Sequence, residues 1–193
     1  MTGIDARAEA ARAAERSFLF VVGSSRVGGN TEALARLAAE QLPVESQHWL
    51  CLRDLDLPPF RDTEDRDEPV REPAGVERQL LDATLAATDL VIVTPLYWYS
   101  MSWPVKLYLD YWASWERLPH ANFKDMMRAK TLWAVSVMAD DDLSVADALV
   151  KALELSASYL GATFKGALLG TGSWPGDVLT DAGAVERARS YFD

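Results

Sequence analysis

With 193 residues, 49% hydrophobic and 25% charged, the chain has the size for one domain with a proper core and the composition of a soluble globular protein. Its 29 acidic against 19 basic residues leave a net charge of −10, which disfavours nucleic acid and anionic membrane as partners. One cysteine and two histidines exclude an intramolecular disulfide and argue against a protein-built zinc or iron–sulfur site.

Residues 1–16 alternate alanine with charge and have no apolar centre. They read as an N-terminal arm, a frayed helix or disordered, and not as a secretory signal. From residue 17 to 193 a single domain is expected. Its pattern alternates: strand 17–23, helix 30–42, strand 46–51, helix 74–87, strand 89–94, helix 103–116, strand 131–138, helix 143–160, strand 162–169 and a last helix near 180–191. Five strands, each followed by a helix, imply an α/β fold with a mostly parallel sheet covered on both faces. The segment 53–73, rich in Asp, Glu and Pro, is too long and polar for a simple connector. It is either a solvated surface loop or a border of the active site or of a subunit contact. No apolar run reaches the length of a membrane helix, so no membrane insertion is expected. The lone Cys51 fits a reducing, cytoplasmic compartment and reads as a core residue.

The first strand runs into Gly23–Ser24–Ser25–Arg26–Val27–Gly28–Gly29–Asn30–Thr31, and this loop opens a helix. Free amides and the positive end of the helix dipole then face whatever occupies the turn. Gly28 and Gly29 permit close backbone approach, Ser24, Ser25 and Thr31 add hydroxyl groups, and Arg26 is the one cation placed to help. No Lys-Ser or Lys-Thr follows the glycines, and their spacing is not G-x-G-x-x-G, so neither the triphosphate loop nor the dinucleotide fingerprint applies. A terminal phosphate monoester suits what remains. An ordinary turn with an Asn–Thr cap is the plain alternative.

A second loop, Thr94–Pro95–Leu96–Tyr97–Trp98–Tyr99–Ser100–Met101, follows a strand buried on both sides. Its aromatic run can wall a flat ring, with backbone amides from Trp98 onward meeting the ring's polar edge. The same residues could instead pack between subunits or cap the sheet. Ser102 and Pro104 read as the N-cap and an early position of the next helix. A third loop, 136–142, could complete a ring site, or Asp140–Asp142 could simply cap the following helix. In a doubly wound sheet such loops meet at the carboxyl ends of the strands. Neither His48 nor His120 falls in one of them.

A planar ring with a phosphate tail describes FMN. Gly23–Ser24–Ser25–Arg26 with Gly29–Asn30–Thr31–Glu32, then 94–101 and Lys106–Leu107–Tyr108–Leu109–Asp110, resemble the flavodoxin-like NAD(P)H-dependent FMN reductases and quinone reductases across roughly residues 17–175. The resemblance implies a flavodoxin-like three-layer sandwich with a five-stranded parallel sheet of order 2-1-3-4-5. It implies FMN held by Ser24, Ser25, Arg26, Gly28, Gly29, Asn30 and Thr31 at the phosphate, and by Pro95, Leu96, Tyr97, Trp98, Tyr99 and Ser100 at phosphate and ring. It also implies NADPH or NADH as hydride donor, a small-molecule acceptor such as free flavin or a quinone, and a homodimer or homotetramer. Leu57–Asp62 contains no cysteine, which excludes the iron–sulfur cluster of some relatives.

Hydride transfer at the flavin needs no side-chain acid, base or nucleophile, so no residue is assigned a catalytic role. Two rival readings stay open from the sequence: a flavodoxin-type electron carrier, and a partner-binding module without flavin. The 170–177 loop has no assigned role.

Overall fold

The computed structural model describes residues 16–62 and 70–193. Its sheet contains β1 (Phe18–Val22), β2 (Gln47–Cys51), β3 (Asp89–Val93), β4 (Thr131–Met138) and β5 (Thr163–Thr171). The strand order is β2-β1-β3-β4-β5, and every pairing is parallel. The expected 2-1-3-4-5 topology is the observed one.

Strand alternation divides the core between the two faces. Phe18, Phe20, Val22, Val91, Val93, Trp133 and Val135 pack with α1 (Asn30–Ala39) and α6 (Ala182–Ala188). Leu19, Val21, Leu90, Ile92, Leu132 and Ala134 pack with α2 (Gly75–Ala86), α3 (Trp103–Glu116), α4 (Phe123–Arg128) and α5 (Asp147–Leu160). The short α4 has no counterpart in the sequence reading. Phe123 and Met127 bury it, because six residues are too few to hold a helix by local propensity. The predicted helices 30–42 and 143–160 are shorter than expected. The first ends at Ala39, and the second is preceded by a separate 3₁₀ turn, Leu143–Ala146.

Register levels the carboxyl ends of β1, β2 and β3 and sets them beside Val135 of β4. Val22 pairs with both Cys51 and Val93, and Val93 pairs with Val135. Beyond that row β4 and β5 continue together, with Met138 opposite Thr171. The loop after β3 follows β4 outward, since Thr94 N–H donates to Val135 O (3.0 Å) and Leu96 N–H to Val137 O (3.2 Å). The pair β4–β5 thus rises as a side wall beside the loops that leave β1 and β3. A register irregularity between Leu132 and Ala134 interrupts the β4–β5 ladder. The half-buried Tyr191 hydroxyl repairs it, donating to Ala134 O (2.8 Å) or Gly166 O (2.9 Å) and accepting from Ala134 N–H (3.3 Å).

At the opposite end, Arg16 pairs with Asp89 (2.8 Å), donates to Phe192 O (2.7 Å) and stacks on Phe18. Arg16, the last residue of the expected arm, thus packs on the domain; residues 1–15 lie outside the described residues. Of the segment 53–73, residues 63–69 also lie outside them. The rest folds over α2 and α3: Tyr111 donates to Pro58 O (2.9 Å), Phe60 meets the Tyr111 ring edge-on, and Arg71 pairs with the buried Glu77. Among the described residues no helix is long and apolar enough to cross a membrane.

Candidate functional site

The cleft at the β1/β3 switch point has a volume of about 290 Å³. Three predicted loops reach it. Ser24, Arg26, Gly29, Asn30 and Thr31 form one side, Pro95, Leu96 and Tyr97 another, and Val137, Met138 and Ala139 a third. Gly172 and Ser173 close it from beyond β5.

On the first side, Gly29 is the N-cap of α1 and no side chain caps the helix, so its leading amides stay open to an anion. Ser24 does not point a free hydroxyl outward. Its Oγ donates to Arg26 O (3.2 Å) and accepts from Arg26 N–H (3.3 Å), which curls the loop. Thr31 is buried, and its hydroxyl makes no hydrogen bond within the described residues. Asn30 differs from the motif reading. Its Nδ2 donates to Trp174 O (2.8 Å), and its Oδ1 accepts from Gly176 N–H (2.8 Å). The side chain ties the 170–177 loop to the start of α1. Ser25 and Gly28 lie outside the cleft wall, and the Gly28 amide faces the Glu32 carboxylate.

On the second side, Tyr97 and Ser100 exchange both backbone hydrogen bonds at 3.0 Å, with Trp98 and Tyr99 between them at φ 49° and 64°. This is a two-residue turn of the type I′ class, which normally takes Asn-Gly. Two aromatics in left-handed conformations cost about 1–3 kcal/mol each, a strain kept mainly at functional positions. The turn holds Trp98 93% and Tyr99 61% exposed, and their amides have no hydrogen-bond partner among the described residues. Trp98, Tyr99 and Ser100 therefore stand at the rim, while Pro95, Leu96 and Tyr97 line the wall. Ser102 occupies the N-cap of α3, but its hydroxyl donates to Gly23 O (2.8 Å) and does not cap the helix. That bond fastens the second loop to the first.

On the third side, the apolar residues 137–139 form the wall. Asp142 caps the 3₁₀ turn, accepting from Ser144 N–H (2.9 Å). His48 and His120 are both exposed and away from the cleft.

Behind the first loop lies an ion cluster. Buried Glu32 pairs with Arg36 (2.9 Å) and with Arg53 (3.3 Å) from the 3₁₀ turn after β2. Burial pushes the Glu32 carboxyl up, but the Arg36 hydrogen bond, the charges of Arg53 and Arg36 and the Gly28 amide outweigh it and hold it below its ordinary 4.5. A carboxyl depressed by folding contributes stability above its unfolded value and loses it as pH falls through the folded value. E32Q is therefore expected to flatten the acid limb of the stability profile below about pH 4.5, read as urea midpoints. An unchanged slope would show that Glu32 does not carry that limb.

Residues 17–168 match the family described as NADPH-dependent FMN reductase. The chain belongs to that family. It is a flavin-dependent NAD(P)H oxidoreductase. A relative in Bacillus subtilis, YwqN, assigned as an NAD(P)H-dependent FMN-containing oxidoreductase, is 30% identical over 167 residues, covering 86% of this chain and 91% of YwqN. The structure of the Trp repressor binding protein from Bacillus subtilis superposes with a TM-score of 0.75 at 26% identity, covering 92% of this chain and 98% of that one. An FMN-dependent NADH-azoreductase from Bacillus anthracis, solved in complex with FMN, shares the fold at 17% identity and a TM-score of 0.57, covering 90% of this chain and 97% of that one.

In the cleft of this FMN reductase, the uncapped helix start and a Thr31 hydroxyl without a partner among the described residues fit a phosphate, and the amides of Trp98 and Tyr99 fit the polar edge of a ring. The sequence reading left 137–139 open as a possible third side of the cleft, and it did not single out Gly172 or Ser173 in the cleft wall or Arg53 behind the first loop. For Gly172 a signal was present in the unexplained glycines of 170–177. A Cβ there would lie 2.9 Å from Asn30 Nδ2 and from Val178 N, so the two loops approach only because the residue is glycine.

Proposed function

We propose that FMN lies in this cleft with its phosphate on residues 24–31 and its ring against Pro95–Tyr97 and Val137–Ala139, and that hydride passes from NAD(P)H to a small acceptor such as free flavin or a quinone. FMN supplies the hydride-accepting and hydride-donating centre. The chain's own part is orientation. The α1 amides and Thr31 would fix the phosphate, and the apolar third side would exclude water from one face of the ring. The free Trp98 and Tyr99 amides would donate toward the ring's polar edge, where charge develops on reduction. The exposed Trp98–Tyr99 rim leaves the other face accessible to nicotinamide and then to acceptor, in turn. The observation that carries this reading is the strained turn, which holds two aromatics and two amides unpaired among the described residues at the mouth of a cleft that opens on the uncapped start of α1.

The half-buried free thiol of Cys51 supports a cytoplasmic, reducing setting. The apolar groove between α3 and α5, bordered by the exposed Leu155 and Tyr159, supports a homodimer or homotetramer. The test is a visible spectrum after FMN addition and desalting, then anaerobic NADPH or NADH. Retained flavin bands that either nucleotide bleaches are expected. Bands retained but not bleached would turn the reading toward an electron carrier. In W98A the flavin bands or the acceptor kinetics should change, and constancy of both would reduce the turn to packing.

A further inference from the structure

Glu32 sits in the first turn of α1 with only 7% of its side chain exposed, behind the loop assigned to a phosphate dianion. An unpaired buried carboxylate there would repel that anion. Arg36 answers it from within α1, and Arg53 from β2's end of the sheet. Arg53 Nη1 approaches Glu32 Oε2 at 3.3 Å, Ser24 O at 3.3 Å and Arg26 O at 3.4 Å. The two carbonyls belong to the loop itself, so a group anchored outside the loop holds them by their oxygens. The rest of the cluster is equally built. Arg36 takes Glu32 Oε1 at 2.9 and 3.2 Å and lies over the Trp49 ring at 4.3 Å, and Trp49 stacks on the core residue Phe20. Asp54 is the other carboxylate near Arg53, at 3.8 Å and exposed.

We propose that Arg53 is the positioning residue of the phosphate site: it holds the Ser24 and Arg26 carbonyls away from the bound anion and neutralises Glu32 behind it. Arg53 touches neither the phosphate nor the reacting ring. It sets affinity for the phosphate through the loop it clamps and the charge it cancels. This inference rests on the reading of residues 24–31 as the FMN phosphate loop.

Riboflavin, which lacks the phosphate, separates this role from general support of the fold. Affinities of the wild-type protein, R53Q, E32Q and E32Q/R53Q for FMN and for riboflavin form the test, with circular dichroism to confirm folding. R53Q should weaken FMN about tenfold or more and riboflavin by less than about twofold, because only FMN carries the charge that Glu32 opposes. E32Q/R53Q should recover FMN affinity to within about threefold of wild type, since the opposing charge is gone. E32Q alone should tighten FMN several-fold relative to riboflavin, and it decides the matter if R53Q does not fold. Equal loss of both ligands in R53Q, absence of rescue in the double variant, or unchanged or weaker FMN binding in E32Q would overturn the role of Arg53. A wild-type protein that binds FMN no more tightly than riboflavin would instead overturn the phosphate-loop reading, and this inference with it.

Discussion

Replacing Gly23 with alanine is expected to destabilise the protein by about 2–3 kcal/mol and to weaken FMN binding with it. Gly23 follows β1 and lies against the start of α3. A Cβ there would lie 2.3 Å from Val105 Cγ2 and 2.6 Å from Ser102 Oγ, well inside van der Waals contact. Neither neighbour is free to yield. Val105 is fully buried in the core beneath β1 and β3, and Ser102 Oγ is held by Gly23 O and lies 3.3 Å from Thr94 Oγ1. Relief requires the start of α3 to move outward, carrying Pro95–Ser102 away from residues 24–31. Urea unfolding with and without FMN measures both effects. An unchanged midpoint would show that α3 shifts at no cost, and that the Ser102–Gly23 fastening does not hold the two loops together.

Asn30→Ala should loosen the 170–177 loop and reach the cofactor only through it. The substitution removes two 2.8 Å hydrogen bonds, to Trp174 O and from Gly176 N–H. At a net 0.5–1.5 kcal/mol per bond the expected loss is about 2 kcal/mol. Asp177 still accepts from Ser173 and Trp174 N–H, so the loop keeps its own turn and loses its anchor to α1. Faster amide hydrogen exchange across Ser173–Gly176 is expected, with a moderate loss of FMN affinity because Gly172 and Ser173 line the cleft. Thr31→Val gives the contrasting result: weaker FMN binding with loop exchange unchanged, because that hydroxyl has no partner among the described residues to lose. If N30A weakened FMN while exchange stayed at the wild-type rate, Asn30 would be a direct ligand after all.

The sequence alone determined the order and type of the main elements, the parallel sheet and the three loops that converge. These are local properties. A strand such as Phe18–Val22 or Leu90–Val93 is written in a short run of apolar residues, and a loop opening a helix is written in its glycines and hydroxyls. The resemblance added the strand order and the cofactor, and the family match agrees with it.

What the tertiary structure decided is which partner each polar group takes. Ser102 had the position of an N-cap and spends its hydroxyl on Gly23, 79 residues away. Asn30 had the position of a phosphate ligand and spends its amide on a loop some 145 residues further along the chain. Arg53 lay in a stretch read either as solvated surface or as a border of the active site or of a subunit contact, and it reaches back to the carbonyls of the first loop. Elements form from the pattern of their own neighbours. A donor chooses its acceptor only after packing has brought distant segments within about 3 Å and removed the water that would otherwise have satisfied both.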